Sequence, residues 1–419
     1  MARFSDDEWK KIFEELDKHP VANQPYGLPK RRPGSVILSS FNIRALGNDR
    51  TRTKSKPRGR TQGSWDFLAR YASRCDFLAI QEVKDDLSGL WRLKEALGGK
   101  FAVIVSDVTG ARPGKDRSQE RLAYLYRWDR IERTDLASDI TYDRRAVLET
   151  VHDNLNDFIE DFKIHDGLMK HYAAERKKFK DGRRSSRPAK PTFVLSNFLS
   201  FIRTPHVASF RIKGKNGVDP LDFHAVNAHL LYGNKSRSAE ERKMEFDALV
   251  DWLRWRTKAS KRLYHKNMIL FGDMNLEFKK QFTGIKDADK AIKAMNQDIG
   301  KHYKVNFPFL DVPKKRQPAP EGNGKGRYMT TIRMTQTYDQ IGLFGYKGQL
   351  PDHDQNDNAS RNGVNGYDYG VFAYADLFAK ALHNANSYLE LAKSSAFASR
   401  FEHDVSDHLP IWVRLPVPA

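Results

Sequence analysis

The sequence holds a single cysteine, Cys75, so no disulfide can form within the chain, and a small secreted scaffold stapled by such bridges is excluded. No apolar run approaches the ~18 residues that a membrane-spanning helix needs. The first residues, Ser5-Asp6-Asp7-Glu8-Trp9, are acidic where an export signal is basic and then apolar. The expectation is a cytoplasmic protein with no membrane association. Acidic side chains are in short supply, 53 Asp and Glu against 72 Lys and Arg, for a net charge of +19. Such an excess draws a chain toward polyanions, nucleic acid first among them.

What is present suffices for a large core: 39% of the 419 residues are hydrophobic. Ser5 and Glu8 make a capping box ahead of Trp9, Ile12, Phe13 and Leu16, which predicts a helix over residues 5–18. Short β-branched runs predict strands at 35–39, 76–81, 101–105, 122–126, 207–212, 222–228, 267–271, 340–343 and 411–415. Helical spacing lies between them at 64–73, 90–97 and 238–256. Alternating strands and helices with short links imply a layered α/β fold. We divide the chain into an N-terminal helix and linker, 1–34, and one domain, 35–419. That domain carries insertions at about 139–190, 278–330 and 345–400. The first insertion reads as a helical pair and the other two as long, polar and irregular.

Several apolar strands end in a polar or acidic residue, the place where layered α/β folds build their sites. These ends are Phe41-Asn42-Ile43-Arg44, Ile80-Gln81-Glu82, Asn227-Ala228-His229, Phe271-Gly272-Asp273-Met274-Asn275, Tyr338-Asp339-Gln340-Ile341 and Val405-Ser406-Asp407-His408. Singly, each is the kind of group that also decorates a solvated edge or a turn. Together they offer carboxylates, amides and two histidines, which hydrolysis of a phosphodiester requires. Oxygen ligands hold a hard cation, and imidazoles move protons or stabilise charge.

In their order along the chain these motifs resemble the endonuclease/exonuclease/phosphatase superfamily. Phe41-Asn42-Ile43-Arg44, Ile80-Gln81-Glu82-Val83-Lys84-Asp85, Glu120-Arg121 with the strand after it, and Ser406-Asp407-His408-Leu409-Pro410 resemble its pancreatic deoxyribonuclease branch most. The resemblance implies a four-layered β-sandwich, two central mixed sheets flanked by helices. It implies Mg²⁺ or Mn²⁺ held by Glu82 with Asn42 and Asp407 beside it, and Asp273 and Asn275 positioning the attacking water and the phosphate. His229 and His408 would bracket the phosphate, oriented by Glu120 and Asp339 respectively. Arg44, Lys84 and Arg121 would contact substrate. The implied reaction is endonucleolytic cutting of DNA by an activated water, leaving 5′-phosphate ends. RNA cleavage, hydrolysis of inositol phosphates or sphingomyelin, and non-catalytic nucleic-acid binding are the rival readings.

Three further features bear on the outcome. The cations from Arg44 to Arg60 (Arg50, Arg52, Lys54, Lys56, Arg58) read as a flexible phosphate-binding loop at the mouth of the cleft. Phe201-Ile202-Arg203-Thr204-Pro205 reads as mainly structural. Trp252 and Trp255 read as core residues of the 238–256 helix.

Overall fold

The first helix begins where the sequence offers its cap. In the computed structural model of the protein, residues 3–19, 25–51, 59–110, 119–191, 193–215, 218–231, 236–276, 285–310, 328–357, 366–391 and 394–418 are described. Helix α1 spans Asp6–Asp17. Ser5 Oγ accepts the Glu8 N–H at 3.3 Å and the Glu8 carboxylate accepts the Ser5 N–H at 2.8 Å, so both halves of the box are made. Trp9, Ile12 and Leu16 form its buried face.

The β-branched runs become strands β1 (Ser35–Leu46), β2 (Phe77–Val83), β3 (Phe101–Val105), β4 (Arg121–Arg127), β5 (Ile131–Asp139), β6 (His206–Ile212), β7 (Leu221–His229), β8 (Asn267–Asp273), β9 (Tyr303–Asn306), β10 (Asp339–Tyr346), β11 (Asp368–Val371) and β12 (Ile411–Pro416). They form two six-stranded sheets, in the orders β11-β12-β1-β2-β4-β3 and β5-β6-β7-β8-β10-β9. Each sheet contains one parallel pair, β1 with β2 and β7 with β8. The remaining pairings are antiparallel. This is the mixed two-sheet sandwich expected.

Alternation along the central strands builds the layers. Phe223 and Ala225 of β7 and Ile269 and Phe271 of β8 join the core shared with the first sheet. Val226, Ala228, Met268 and Leu270 point the other way, into a second core with Leu249 and Leu253 of helix α6 (Ser236–Lys258). Phe77 sits among the rings of Tyr124, Phe210, Phe223 and Phe271. Each such side chain contributes roughly 1.5–3 kcal/mol of burial. Polar groups also cross between the sheets. Gln81 Nε2 donates to Asn227 Oδ1 at 2.7 Å, Asn227 Nδ2 donates to the Ile80 and Ala123 carbonyls, and the Tyr124 hydroxyl donates to the His206 and Ala225 carbonyls.

Helices α2 (Gln62–Ala72) and α3 (Ser88–Ala96) pack on the first sheet's side of the core. The 139–190 stretch holds the expected helical pair, α4 (Arg144–Asp153) and α5 (Leu155–Lys180). Of the apolar residues of α5, Phe158 is buried, but Leu155, Ile159 and Phe162 are exposed. Among their described residues, the two stretches expected to be irregular hold regular elements. Residues 278–330 contribute α7 (Ile285–Gln297) and β9. Residues 345–400 contribute β11, α8 (Tyr374–His383) and most of α9 (Ser394–Asp404). Tyr374 to Ala379 are all buried, while Lys380 and His383 of the last turn reach toward solvent. Trp255 is another correction: it is 56% exposed. Among the described residues no helix is long and apolar enough to cross a membrane.

Candidate active site

The carboxyl ends of both parallel pairs open on one cleft of about 500 Å³, lined in part by Arg44, Glu82, His229, Asp273, Asn275, Asp407 and His408. The first pair reaches it by breaking its ladder. Pairing of β1 with β2 shifts between Asn42 and Leu46, and pairing of β2 with β4 shifts between Ile80 and Val83. Inside those irregularities Ala45 and Glu82 sit at φ +48° and +62°, left-handed conformations that cost on the order of 1–3 kcal/mol each for a side-chain-bearing residue. The turn aims the Glu82 carboxylate back at the strand ends, where it accepts the Ala45 N–H at 3.0 Å and Asn42 Nδ2 at 3.4 Å. Burial would raise the Glu82 carboxyl. The positive charges of His229 and Lys84 and the Ala45 N–H outweigh it and hold the pKa at about 2, so Glu82 is anionic at neutral pH.

The second pair stays in register to its last residues, where His229 stands opposite Asp273. Gly272 makes this feasible. Its φ is +149°, and a Cβ there would lie 1.9 Å from the Ala228 carbonyl oxygen.

Asp273 is the centre of the cluster. Its Oδ2 accepts Asn42 Nδ2 at 3.0 Å and lies 3.5 Å from His229 Nε2 and 3.4 Å from His408 Nε2. Behind each imidazole stands a buried carboxylate: Glu120 Oε1 is 2.6 Å from His229 Nδ1, and Asp339 Oδ2 is 2.8 Å from His408 Nδ1. A carboxylate on Nδ1 fixes the tautomer and turns Nε2 toward the cleft. Burial would lower His408, but Asp339, Asp273 and Asp407 surround it with negative charge and hold it well above the ordinary histidine value. These charges favour the imidazolium form of the ring, while burial raises the pKa of its partner Asp339.

Asn275, at φ +50° just past β8, donates its side-chain amide to the Leu230 carbonyl at 3.0 Å, and its N–H is accepted by Asp273 Oδ1 at 2.9 Å. Asp407 lies at the rim, 3.3 Å from the Arg44 guanidinium, which also meets Glu402 at 3.3 Å. Asn42, Glu120 and Asp339 stand behind the surface. Lys84 and Arg121 do not line the cleft. Lys84 is half-buried and near enough to bias Glu82. Arg121 donates to the Ser106 carbonyl and lies 3.3 Å from Asp107.

Two donor sets offer themselves to a divalent cation. Asp273, Asp339 and His408 bring ligand atoms within 4.8 Å of one another, but Asp339 Oδ2 and His408 Nδ1 are engaged with each other. The other set fits a hard, oxygen-seeking ion better. Asn42 Oδ1, like Asp339 Oδ1, is buried with no hydrogen-bond partner among the described residues, and the Asn42 amide nitrogen meets the anionic Glu82 at 3.4 Å.

The sequence reading passed over several residues here. Arg203 lines the cleft, its Nε 3.3 Å from Glu120 Oε2 and its guanidinium donating to the Leu230 carbonyl at 3.1 Å. It braces the carboxylate that orients His229, and the Arg203-Thr204-Pro205 segment was the signal. Arg333 and Glu402, paired at 2.8 Å on the rim, had none. In the basic loop, Arg60 is buried and donates to the Asp404, Val405 and Arg44 carbonyls. It is a structural clamp and not a phosphate ligand. Arg52, Lys54, Lys56 and Arg58 lie outside the described residues.

No family model matches the chain. In sequence it is 26% identical over 253 residues to a protein named deoxyribonuclease from Thioalkalivibrio sp. (strain K90mix), a match covering 59% of this chain. The chain spans about half (48%) of that curated relative's length. Solved structures similar to it include an endonuclease/exonuclease/phosphatase family protein from Bacteroides thetaiotaomicron (TM-score 0.38, 14% identity, 91% of this chain and 98% of that one). The human Nocturnin catalytic domain with bound sulfate is another (0.39, 12%, 93% and 96%). So is TDP2 from C. elegans (0.40, 11%, 100% and 96%).

Proposed function

We propose that the chain is a divalent-metal-dependent phosphodiester hydrolase, an endonuclease that cuts DNA and leaves 5′-phosphate ends. The observation that carries this reading is the convergence of two carboxylate-backed imidazoles on Asp273, beside the anionic Glu82 and the unsatisfied Asn42 Oδ1. Glu82 and Asn42 would hold the ion, with Asp407 at the rim. A bound Mg²⁺ or Mn²⁺ supplies polarisation of the phosphate and neutralises charge on its oxygens.

The side chains do the rest. Asp273, with Asn275 fixing its orientation, takes the proton of the attacking water at Oδ2. His408, held as an imidazolium, faces the developing negative charge, and its ion pair with Asp339 keeps it in place. His229 exchanges a proton at Nε2 with the phosphate or the departing oxygen, while Glu120, braced by Arg203, keeps the proton on Nδ1. Arg44 and Arg333 at the rim take flanking phosphates. The net charge of +19 and the sequence likeness to a deoxyribonuclease favour DNA.

The test is nicking of supercoiled plasmid with Mg²⁺ or Mn²⁺, with an EDTA control and the variants Glu82→Ala and His229→Ala. The expected outcome is metal-dependent nicking that both substitutions abolish. Intact plasmid with the wild-type protein would sink the DNA reading.

A further inference from the structure

A second cleft, of about 530 Å³, lies at the other end of the second sheet. It is bordered by Trp255, Lys258, Lys261, Arg262, Lys301 and His302, all of which are exposed. The segment Lys258–Arg262 leads into the start of β8, and Lys301 and His302 lead into β9. Asp273, at the far end of β8, is thus six strand residues away, on the order of 20 Å. The two clefts share no residue.

The charge here is available. Asp298 engages Lys258 at 2.7 Å and also Arg254, whereas Lys261, Arg262 and Lys301 make no ion pair among the described residues. An exposed tryptophan is the second element. Trp255 is 56% exposed, and the Arg256 guanidinium lies 5.5 Å from its ring centroid and 5.4 Å from that of Trp252. This holds the helix end's aromatic and cationic groups together. A solvated helix end has no need of an open indole amid unpaired cations. A single-stranded nucleic acid uses both, phosphates in the basic groove and a base stacked on the ring.

We propose that this cleft is a second, non-catalytic binding site for single-stranded nucleic acid, with Trp255 as the stacking platform and Lys261, Arg262 and Lys301 as phosphate ligands. It anchors a strand away from the scissile position, so long substrates are held more tightly than short ones. The inference rests on the reading of the chain as acting on nucleic acid, but its test requires no cleavage.

The experiment is fluorescence anisotropy of labelled oligothymidylate and oligouridylate in EDTA, across a salt series, with the full-length protein. Two parallel runs use heparin as competitor and bis(para-nitrophenyl) phosphate with Mg²⁺ as a hydrolysis readout that needs only the active site. The double variant Lys261→Glu/Arg262→Glu should bind about tenfold or more weakly and show a salt slope smaller by roughly one to two, at ~0.7 per lost phosphate contact. Trp255→Ala should weaken binding at least about fivefold, and Trp255→Phe should restore most of it. Hydrolysis of the small phosphodiester should be unchanged in all three. Oligonucleotide binding that ignores the charge reversal overturns the proposal. So does binding that ignores Trp255→Ala and is displaced equally well by heparin, which marks a general polyanion patch. Failure of the wild type to hydrolyse the small phosphodiester counts against the nuclease reading instead.

Discussion

The two parallel strand pairs reach the same cleft by opposite means. The pair β1/β2 gives up its ladder, accepting left-handed backbone at Ala45 and Glu82 to swing one carboxylate into place. The pair β7/β8 keeps its ladder to the end and gives up a side chain, at Gly272. In the first pair strain is stored in the backbone of residues that carry side chains. In the second it is avoided by removing the atom that would clash. Function sits on both, so strain is one route to an aimed group and close approach is another.

Four substitutions or conditions probe that contrast. The largest effect falls on Asp273→Asn, which keeps the ladder but removes the charge that both imidazoles face. Nicking should slow by about 10³-fold, equivalent to about 4 kcal/mol, with the unfolding midpoint little changed. A coupled collapse of the fold would show that register, and not chemistry, was lost. Next is Gly272→Ala, whose Cβ meets the Ala228 carbonyl. Urea unfolding should report a loss of about 3 kcal/mol, and a neutral result would break the comparison outright.

The third concerns the far end of β7. His224 Nε2 accepts the His265 N–H at 3.1 Å, and burial, reinforced by the charges of His265 and Arg256, lowers its pKa to about 4. The unfolded chain takes up this proton near pH 6.5 and the folded one only near 4. Stability is therefore unaffected above about 6.5 and falls below it, by about 2 kcal/mol between pH 7 and 5. His224→Gln should flatten that slope in urea titrations at the two pH values. The smallest effect belongs to the first pair. Ala45→Gly relieves a left-handed residue at an exposed position and should stabilise by about 1 kcal/mol, the reverse in sign of the change at Gly272. A lowered thermal midpoint would show that the bulge is not strained.

The strand ends at Glu82, His229 and Asp273 were legible because each follows an apolar run, as in Asn267 to Asp273, buried throughout; Asp339 instead opens β10, and Asp407 and His408 precede β12, so the expectation that they end strands is corrected. The capping box of α1 was legible because its two halves are local. Helix α8 was not, since its ten residues stand in a stretch that is otherwise polar and carry no side-chain cap to mark their start. Arg60 could not be told from its neighbours, because an alternating run of cations gives no sign of which one turns inward toward carbonyls. The same holds for Arg333 and Glu402, whose meeting at the rim depends on segments 69 residues apart in the chain. Trp255 was misplaced because its helix carries aromatics on more than one face. The distribution of sites and strain follows from tertiary contacts that no single window contains.

The amide pair Gln81 and Asn227 never meets the cleft, yet it governs it. Sliding one sheet past the other by a single residue would leave these buried amides facing hydrocarbon, at a cost of about 1–3 kcal/mol for each unmatched group. The pair acts as a key in a shaft. Glu82 is the next residue after Gln81, and His229 lies two beyond Asn227, so alignment set in the dry interior is transmitted to within one or two residues of the reacting groups. Tolerance in the active site is thereby decided where no solvent, ion or substrate can disturb it.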